Sequence, residues 1–484
     1  MTLRHKTFAA VRWTTVAAVA RAALQLAQVA VLARLLAPED YGLMAMVWVV
    51  TGFAAIFSDL GVNSAFIQCQ SVTPEQRSSL FWLNVIVSVG LTVVVLAFSP
   101  LLARFFADER LTPLLRIAAP TFVIAALGMQ VRMAAEKALH FRPVVVVEIS
   151  AAILGFATAV ACAMAGIGVY ALVFGALMTA LVQTAFFWMV LARGWRPMFR
   201  LQVSEVRPFI GFGGALVANN IVNYINGTVD LLLGGRLLTA ASLGMYSLPR
   251  NLVLQLQAVI NPIITRVGLP LIAQVQNDIP KVRSIYLQTL NMTASTNAPL
   301  YLGIAFFAPE IVAVMFGERW AGTVEVMRIL ALWGFVRSTG NPLGSLLLGM
   351  GRADLSLKWN LGLLCFMPPV LWLASRFGTI GLAWALFAVQ CVLFIPGWFF
   401  LVRPLCEARL LEYLGVTLNP FLLACAAIGP AYWLSGCIEN SVLRLALAVT
   451  VAVPLYLLAS WLMNRAWIEA MRSLLLPKRA VQQA

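Results

Sequence analysis

Residues 11–36, VRWTTVAAVARAALQLAQVAVLARLL, form a stretch long enough to cross a bilayer that carries an arginine near its middle. A span needs about 20 mostly apolar residues, and an ionised side chain at its centre costs at least ~2.5 kcal/mol, so Arg21 must face water, an anion or buried carbonyls. Arg21, Gln25 and Gln28 fall at i, i+4 and i+7 and share one side of a helix, while Leu24, Val29 and Leu32 occupy other faces. The helix therefore has a polar stripe. The stripe either lines an aqueous site or packs against a neighbouring helix.

The rest of the chain has the same character. Of its 484 residues 61% are hydrophobic and only 11% charged, which is far more apolar than an average soluble domain. About fourteen apolar segments follow one another, near 11–36, 42–63, 79–103, 114–136, 144–165, 168–192, 209–235, 243–266, 288–315, 324–348, 356–377, 379–402, 417–437 and 441–463. The connections between them are short, such as Pro38-Glu39-Asp40 or Gly166-Ile167-Gly168, and none would hold a soluble domain. The net charge of +15 comes from basic residues set singly in those connections, without the aromatic-interleaved patch of a nucleic-acid-binding surface. The positive-inside rule accounts for them. With the N-terminus taken as cytoplasmic, twenty Lys and Arg fall in the inner connections and tails, against seven in the outer connections. That bias predicts both termini inside. Arg4, Lys6 and Arg12 precede the first span, but no small-residue cleavage site ends a short apolar region, so a cleaved signal peptide is not expected.

An internal repeat organises these segments. Arg34-Leu35-Leu36, five residues and Gly42 recur as Arg236-Leu237-Leu238, five residues and Gly244, at an offset of 202. Leu115-Arg116-Ile117-Ala118-Ala119 resembles Met327-Arg328-Ile329-Leu330-Ala331, Gly128 meets Gly340, and Ile167-Gly168 meets Ile380-Gly381, at slightly larger offsets. Each copy holds six spans and begins on the same side of the membrane, so the copies are expected to be parallel and related by an axis along the membrane normal. The expected fold is all-α, a polytopic membrane protein with about 14 transmembrane helices. Residues 1–207 form an N-terminal six-helix lobe and 208–410 a C-terminal one, with 411–484 holding a helical hairpin and a cytoplasmic tail.

The repeat also collects the polar residues. Asn219, Asn223, Asn226 and Asp230 form a stripe on the seventh span, and the offset sets Asn223 opposite Arg21 and Asp230 opposite Gln28. On the eighth span Arg250, Gln257 and Asn261 share a face, and Asn261 is the repeat partner of Asp59. Two lobes facing a cavity lined by the first, second, seventh and eighth spans is the simplest arrangement. Its amides suit sugar hydroxyls, and Arg21, Arg250 and the mid-depth Arg337 suit a phosphate through charge-assisted hydrogen bonds. The bland alternative is that the asparagines are interhelical glue and that Asp230 neutralises Arg250 at similar depth. Asp59 and Asp230 are candidates for ion coupling or charge pairing.

No catalytic motif stands out. The only histidines are His5 and His140, and no HExxH, GxSxG or GxxxxGK[ST] pattern occurs. The seven cysteines show neither CxxC nor Cys/His spacing, so no disulfide framework, metal site or cofactor is expected.

LARLLAPEDYGLMAM (32–46), FSDLGVNSAFIQ (57–68), LGMYSLPRNL (243–252) and FGERW (316–320) resemble the Wzx-type oligosaccharide flippases, in particular their colanic-acid-exporter-like branch, within the multidrug/oligosaccharidyl-lipid/polysaccharide exporter superfamily. The resemblance implies a non-enzymatic flippase of the bacterial inner membrane. Its substrate would be an undecaprenyl-pyrophosphate-linked oligosaccharide, moved by alternating access for exopolysaccharide, capsule or O-antigen synthesis. A polysaccharide polymerase and a chain-length regulator are the candidate protein partners, and no nucleic acid is expected. Related flippases place arginines of the first and eighth helices in a central cationic cavity, which is where Arg21 and Arg250 fall. Two other readings are an ion-coupled exporter of small amphiphiles, for which carboxylates and aromatics would suit better than arginine, and a non-transporting component of a polysaccharide assembly complex.

Overall fold

In a computed structural model the protein is described over residues 20–59, 66, 69 and 72–475, without the side chains of 59, 203–216, 263, 266–267 and 473–475. Residues 11–19 of the opening stretch, the basic Arg4, Lys6, Arg12, Lys478 and Arg479, and the Asp59 side chain therefore lie outside the described part. Among the described residues the regular structure is helical throughout. Among the described residues nine helices are long and apolar enough to cross a membrane, or ten when one sharply bent pair is taken as a single span. The chain is a multi-pass membrane protein.

The chain order begins with α1 (residues 20–35), α2 (Pro38–Asp59), α3 (Pro74–Phe106), α4 (Leu111–Ala118), α5 (Thr121–Lys137), α6 (Phe141–Met164), α7 (Tyr170–Phe186) and α8 (Val203–Leu237). It continues with α9 (Ala240–Gln274), α10 (Ile279–Phe306), α11 (Val324–Thr339), α12 (Ala353–Ser375), α13 (Gly378–Val392), α14 (Leu410–Ser435), α15 (Ser441–Met463) and α16 (Arg465–Leu475). The sequence sets several of these boundaries. Thr73 caps α3 through a reciprocal capping box with Gln76, and Pro74 follows where its missing N–H costs nothing. Gly166 turns the chain between α6 and α7 at φ +76°, a backbone conformation that side chains resist.

The chain divides into two compact units. The first runs to Ser247 and includes Leu363–Pro369; the second comprises Leu248–Gly362 and Val370 onward. In the first unit, α2 crosses the start of α9 at backbone contact. A Cβ on Gly42 would fall inside the Ala240 carbonyl and 3.0 Å from Gly244 N, and one on Gly244 would fall inside the Pro38 carbonyl and 3.1 Å from Gly42 N. Pro38 and Ala240 are themselves 202 residues apart, so each contact is the image of the other. Such reciprocity is what a local two-fold axis produces. α6 and α7 pack through a second small-residue seam, with Ala151, Gly155, Ala159 and Ala163 recurring every fourth residue and Gly175 lying against Ala159 and Gly155.

In the second unit the apolar core gathers Val282, Tyr286 and Leu290 of α10 with Leu346, Leu405 and Tyr413. The ninth apolar segment, read as continuous over 288–315, is broken. α10 ends at Phe306 and a short helical stretch, Ala308–Phe316, leaves at 77°. Pro309, at the start of that second piece, explains the break, because its ring and missing N–H cannot continue the preceding helix.

Candidate functional site

Arg21 lies on α1 and is about half exposed, at 46%, while its partner Glu148 on α6 is only 9% exposed. The guanidinium Nη2 bonds to one carboxylate oxygen of Glu148, and the other oxygen receives Arg132 Nη2 of α5 at 3.1 Å. Arg132 also donates through Nε to Glu136, one turn further along α5, at 2.8 Å. Three helices of the first unit thus bring two arginines onto one carboxylate. A carboxylate that accepts from two guanidiniums at once is well satisfied in a low-dielectric setting, and Arg21 keeps an open side. Glu148 sits seven residues beyond Phe141, or about 10 Å along α6, so the cluster is roughly two turns in from the α5–α6 connection.

Sequence reasoning named Arg21 but not its partners. The signal for Glu148 was available, since a lone acid inside the apolar run VVVVEISAAILGF is as costly as a lone arginine and calls for the same explanation. Arg132 and Glu136 carry the i, i+4 spacing of a helix pair. Arg21 pairs with Glu148, so Asp230 is not required to neutralise it.

The other polar stripe residues divide between the units. On α1, Gln25 is exposed and Gln28 half-buried; on α8, Asn219 and Asn226 are half-buried and Asn223 is exposed. Asp230 is buried at 2% exposure and accepts the Tyr246 hydroxyl at 2.7 Å. One turn beyond Tyr246, α9 enters the second unit with Arg250, which is 4% exposed. Gln257 is half-buried. Asn261 is fully buried and engaged with its neighbours: its Nδ2 donates to the Ser338 carbonyl at 3.0 Å and its Oδ1 accepts from Asn297 Nδ2 at 3.0 Å. Ser338 in turn donates to Tyr301, which donates to the Val253 carbonyl. That network ties α9, α10 and α11 together in the way amides bind transmembrane helices to one another. Arg337 lies half-buried on α11 with its guanidinium 5.2 Å from the Trp333 ring. Asp59 ends α2, with its side chain outside the description. Among the described residues no group of three His, Cys, Asp or Glu is placed to hold a metal ion.

A half-exposed arginine competing with an internal carboxylate can exchange that carboxylate for an anionic ligand, most favourably one with phosphate geometry. Comparison with known proteins bears on which ligand. Residues 31–325 match the family described as Polysaccharide biosynthesis protein. The chain is 30% identical to the lipopolysaccharide biosynthesis protein WzxC of Escherichia coli K12, over 89% of this chain and 88% of that protein. It is also 30% identical to the teichuronic acid biosynthesis protein TuaB of Bacillus subtilis 168, over 92% and 93% of the two chains. In fold it is similar to the lipid II flippase MurJ in an inward closed conformation, with a TM-score of 0.74 at 13% identity, covering 95% of this chain and all of the other.

Proposed function

The chain belongs to the polysaccharide biosynthesis protein family of membrane transporters, and from that footing we propose that it is a flippase for polyprenyl-pyrophosphate-linked oligosaccharides. In this reading it sits in the bacterial inner membrane with both termini in the cytoplasm and moves its substrate outward by alternating access, supplying polysaccharide synthesis. The observation that carries the proposal is the pairing of half-exposed Arg21 with Glu148 beside Arg132. A pyrophosphate arriving at Arg21 presents more charge than one carboxylate, and the guanidinium fork meets it with two parallel hydrogen bonds. Glu148 is then the internal anion that holds the site in the absence of substrate, and Arg132 keeps Glu148 satisfied while Arg21 is engaged.

The glycan needs neutral partners. Gln25, Gln28, Asn219, Asn223 and Asn226 supply amides in the first unit, and Arg250, Gln257 and Arg337 are the corresponding cationic and polar groups of the second. Asp59 and Asp230 are the candidates for ion coupling or charge pairing, and a polymerase and chain-length regulator are the proposed partners.

The deciding experiment replaces Arg21. Arg21→Lys should retain part of glycan export as a point charge without the fork, and Arg21→Ala should lose nearly all of it. Membrane abundance of Arg21→Ala should stay near wild type, because Glu148 retains Arg132 at 3.1 Å. Full export by a well-expressed Arg21→Ala protein would remove the site from the mechanism.

A further inference from the structure

A groove of about 580 Å³ runs along the first unit between α2, α3 and α8, away from the charge cluster. Its walls are hydrocarbon, with Phe53 and Phe57 on α2, Val94, Phe98 and Phe105 on α3, and Leu232 on α8. Only two lining residues carry a polar side-chain atom. The Tyr224 hydroxyl donates to the Val49 carbonyl at 3.0 Å, and Thr228 Oγ1 donates to the Tyr224 carbonyl at 2.7 Å. The lining thus gives an occupant apolar contact and no directional hydrogen bond.

One end of the groove is marked. Gly235 lies against Phe106, where a Cβ would come within 2.8 Å of the ring. The next residue, Arg236, stands one turn beyond Leu232 on the same side of α8; it is exposed and forms no ion pair among the described residues. Of the acids at this end, Glu39 and Asp108 are both taken up by Arg110, each at 2.7 Å, Asp40 accepts the Ala37 N–H at 2.9 Å, and Glu109 follows Asp108 in the chain. Arg236 itself is left without a carboxylate partner among the described residues. An apolar channel ending at a lone guanidinium complements a hydrocarbon chain that ends in phosphate.

Length narrows the choice between hydrocarbons. The α3 wall extends from Leu91 to Phe106, about 22 Å along the helix axis, whereas one leaflet of a ~30 Å hydrocarbon core is about 15 Å deep. A phospholipid acyl chain is confined to its leaflet; a long isoprenoid chain is not. We propose that this groove binds a polyisoprenyl phosphate, its chain along α2, α3 and α8 and its phosphate on Arg236. The inference rests on the proposed function in assuming a polyprenyl-linked substrate, and it adds a second, separate seat for that lipid.

Native mass spectrometry of the full-length protein released from nanodiscs tests it, with undecaprenyl phosphate and dioleoyl phosphatidylglycerol as competing probes. Undecaprenyl phosphate should remain bound preferentially. Arg236→Gln and Val94→Trp should each weaken that binding by fivefold or more and leave phosphatidylglycerol carry-over unchanged. Val94 is half exposed on the outer wall, so a larger side chain there narrows the groove without entering the core. Equal retention of the two lipids, or unchanged undecaprenyl phosphate binding in both variants, would overturn the proposal. Arg21→Ala should not alter the result. If undecaprenyl phosphate fails to bind while export still depends on Arg21, the groove falls alone; if export is also indifferent to Arg21, the proposed function falls with it.

Discussion

The α2–α9 crossing and the Arg21–Glu148 cluster lie in the same unit and are held by opposite means. At the crossing, Gly42 and Gly244 bring two backbones together, and the contact repeats itself with Pro38 and Ala240 exchanged. No side chain takes part, so nothing there can adjust. The cluster is made of four long side chains from three helices, and each can change partner by rotating a few bonds. A backbone contact resists substitution because close-packed carbonyl groups cannot move independently of their helices. A charge cluster tolerates movement and is sensitive to the balance of charge. The first suits a fixed fulcrum, and the second suits an exchangeable site.

The largest effect should come from breaking the crossing. Gly42→Ala and Gly244→Ala each place a methyl group inside a carbonyl of the opposite helix, and relief requires the helices to separate. Overpacking of this kind costs about 1–3 kcal/mol where side chains can yield, and more against backbone. Both variants should lose most of their membrane abundance, and to a similar extent, since the contacts are reciprocal. Normal abundance of one with loss of the other would end the two-fold reading of this contact.

At the cluster the effect should be smaller and should depend on charge. Glu148→Ala leaves Arg21 and Arg132 without their common anion, and a destabilisation of roughly 1–3 kcal/mol is expected, reduced from the fully buried case because Arg21 is half exposed. Adding Arg21→Ala should recover part of the lost abundance, since one of the two stranded charges is then gone. Thermal stability of the purified single and double variants measures the coupling. If the double variant is less stable than Glu148→Ala alone, the arginines are held by something other than Glu148.

How much of this was legible in the sequence follows the same division. The repeat offset of 202 picked out Gly42 and Gly244 because a contact made of backbone leaves a residue type, glycine, at a fixed spacing. The helical class was equally plain from the apolar segments. Arg21 stood out by its depth, but Glu148 belongs to a different helix, and no spacing along the chain ties α1 to α6. The break after Phe306 was also missed, because hydropathy reads Ala308–Phe316 as apolar whether or not the axis turns. Pro309 was the available clue. For Asn261 the polar pattern singled out the residue but was silent about its partners, which come from α10 and α11.

Near the crossing, charge should matter little. Asp108 lies in the turn after α3, and hydrogen bonds from Arg110 hold its carboxyl below the usual aspartate range. A depressed folded value stabilises the protein above the unfolded pKa of about 3.9, and that contribution is lost as the pH falls through the lower folded value. Its partner Arg110 is about half exposed, so solvent screens the pair and less than about 1 kcal/mol is expected from it. Comparing thermal stability between pH 6 and pH 3 in wild type and Asp108→Asn should show a slightly shallower acid loss in the variant. An acid loss several-fold smaller in Asp108→Asn would mean that this turn, and not the glycines, fixes the end of α2.

The smallest effect provides the control for the largest. Gly90 lies in the middle of α3, and a Cβ built there meets nothing within 4 Å. It is the same substitution as at Gly42, in a helix of the same unit, with the steric term removed. What remains is the helical preference for alanine, about 0.5–1 kcal/mol in favour of the variant. Gly90→Ala should therefore match or slightly exceed wild type in membrane abundance and thermal stability. Because α3 is already held by its capping box and by packing along its length, the gain should sit at the low end of that range. If Gly90→Ala were as damaging as Gly42→Ala, glycine would be needed in these helices for a general reason such as flexibility. The crossing would then lose its claim to be a fulcrum set by backbone contact.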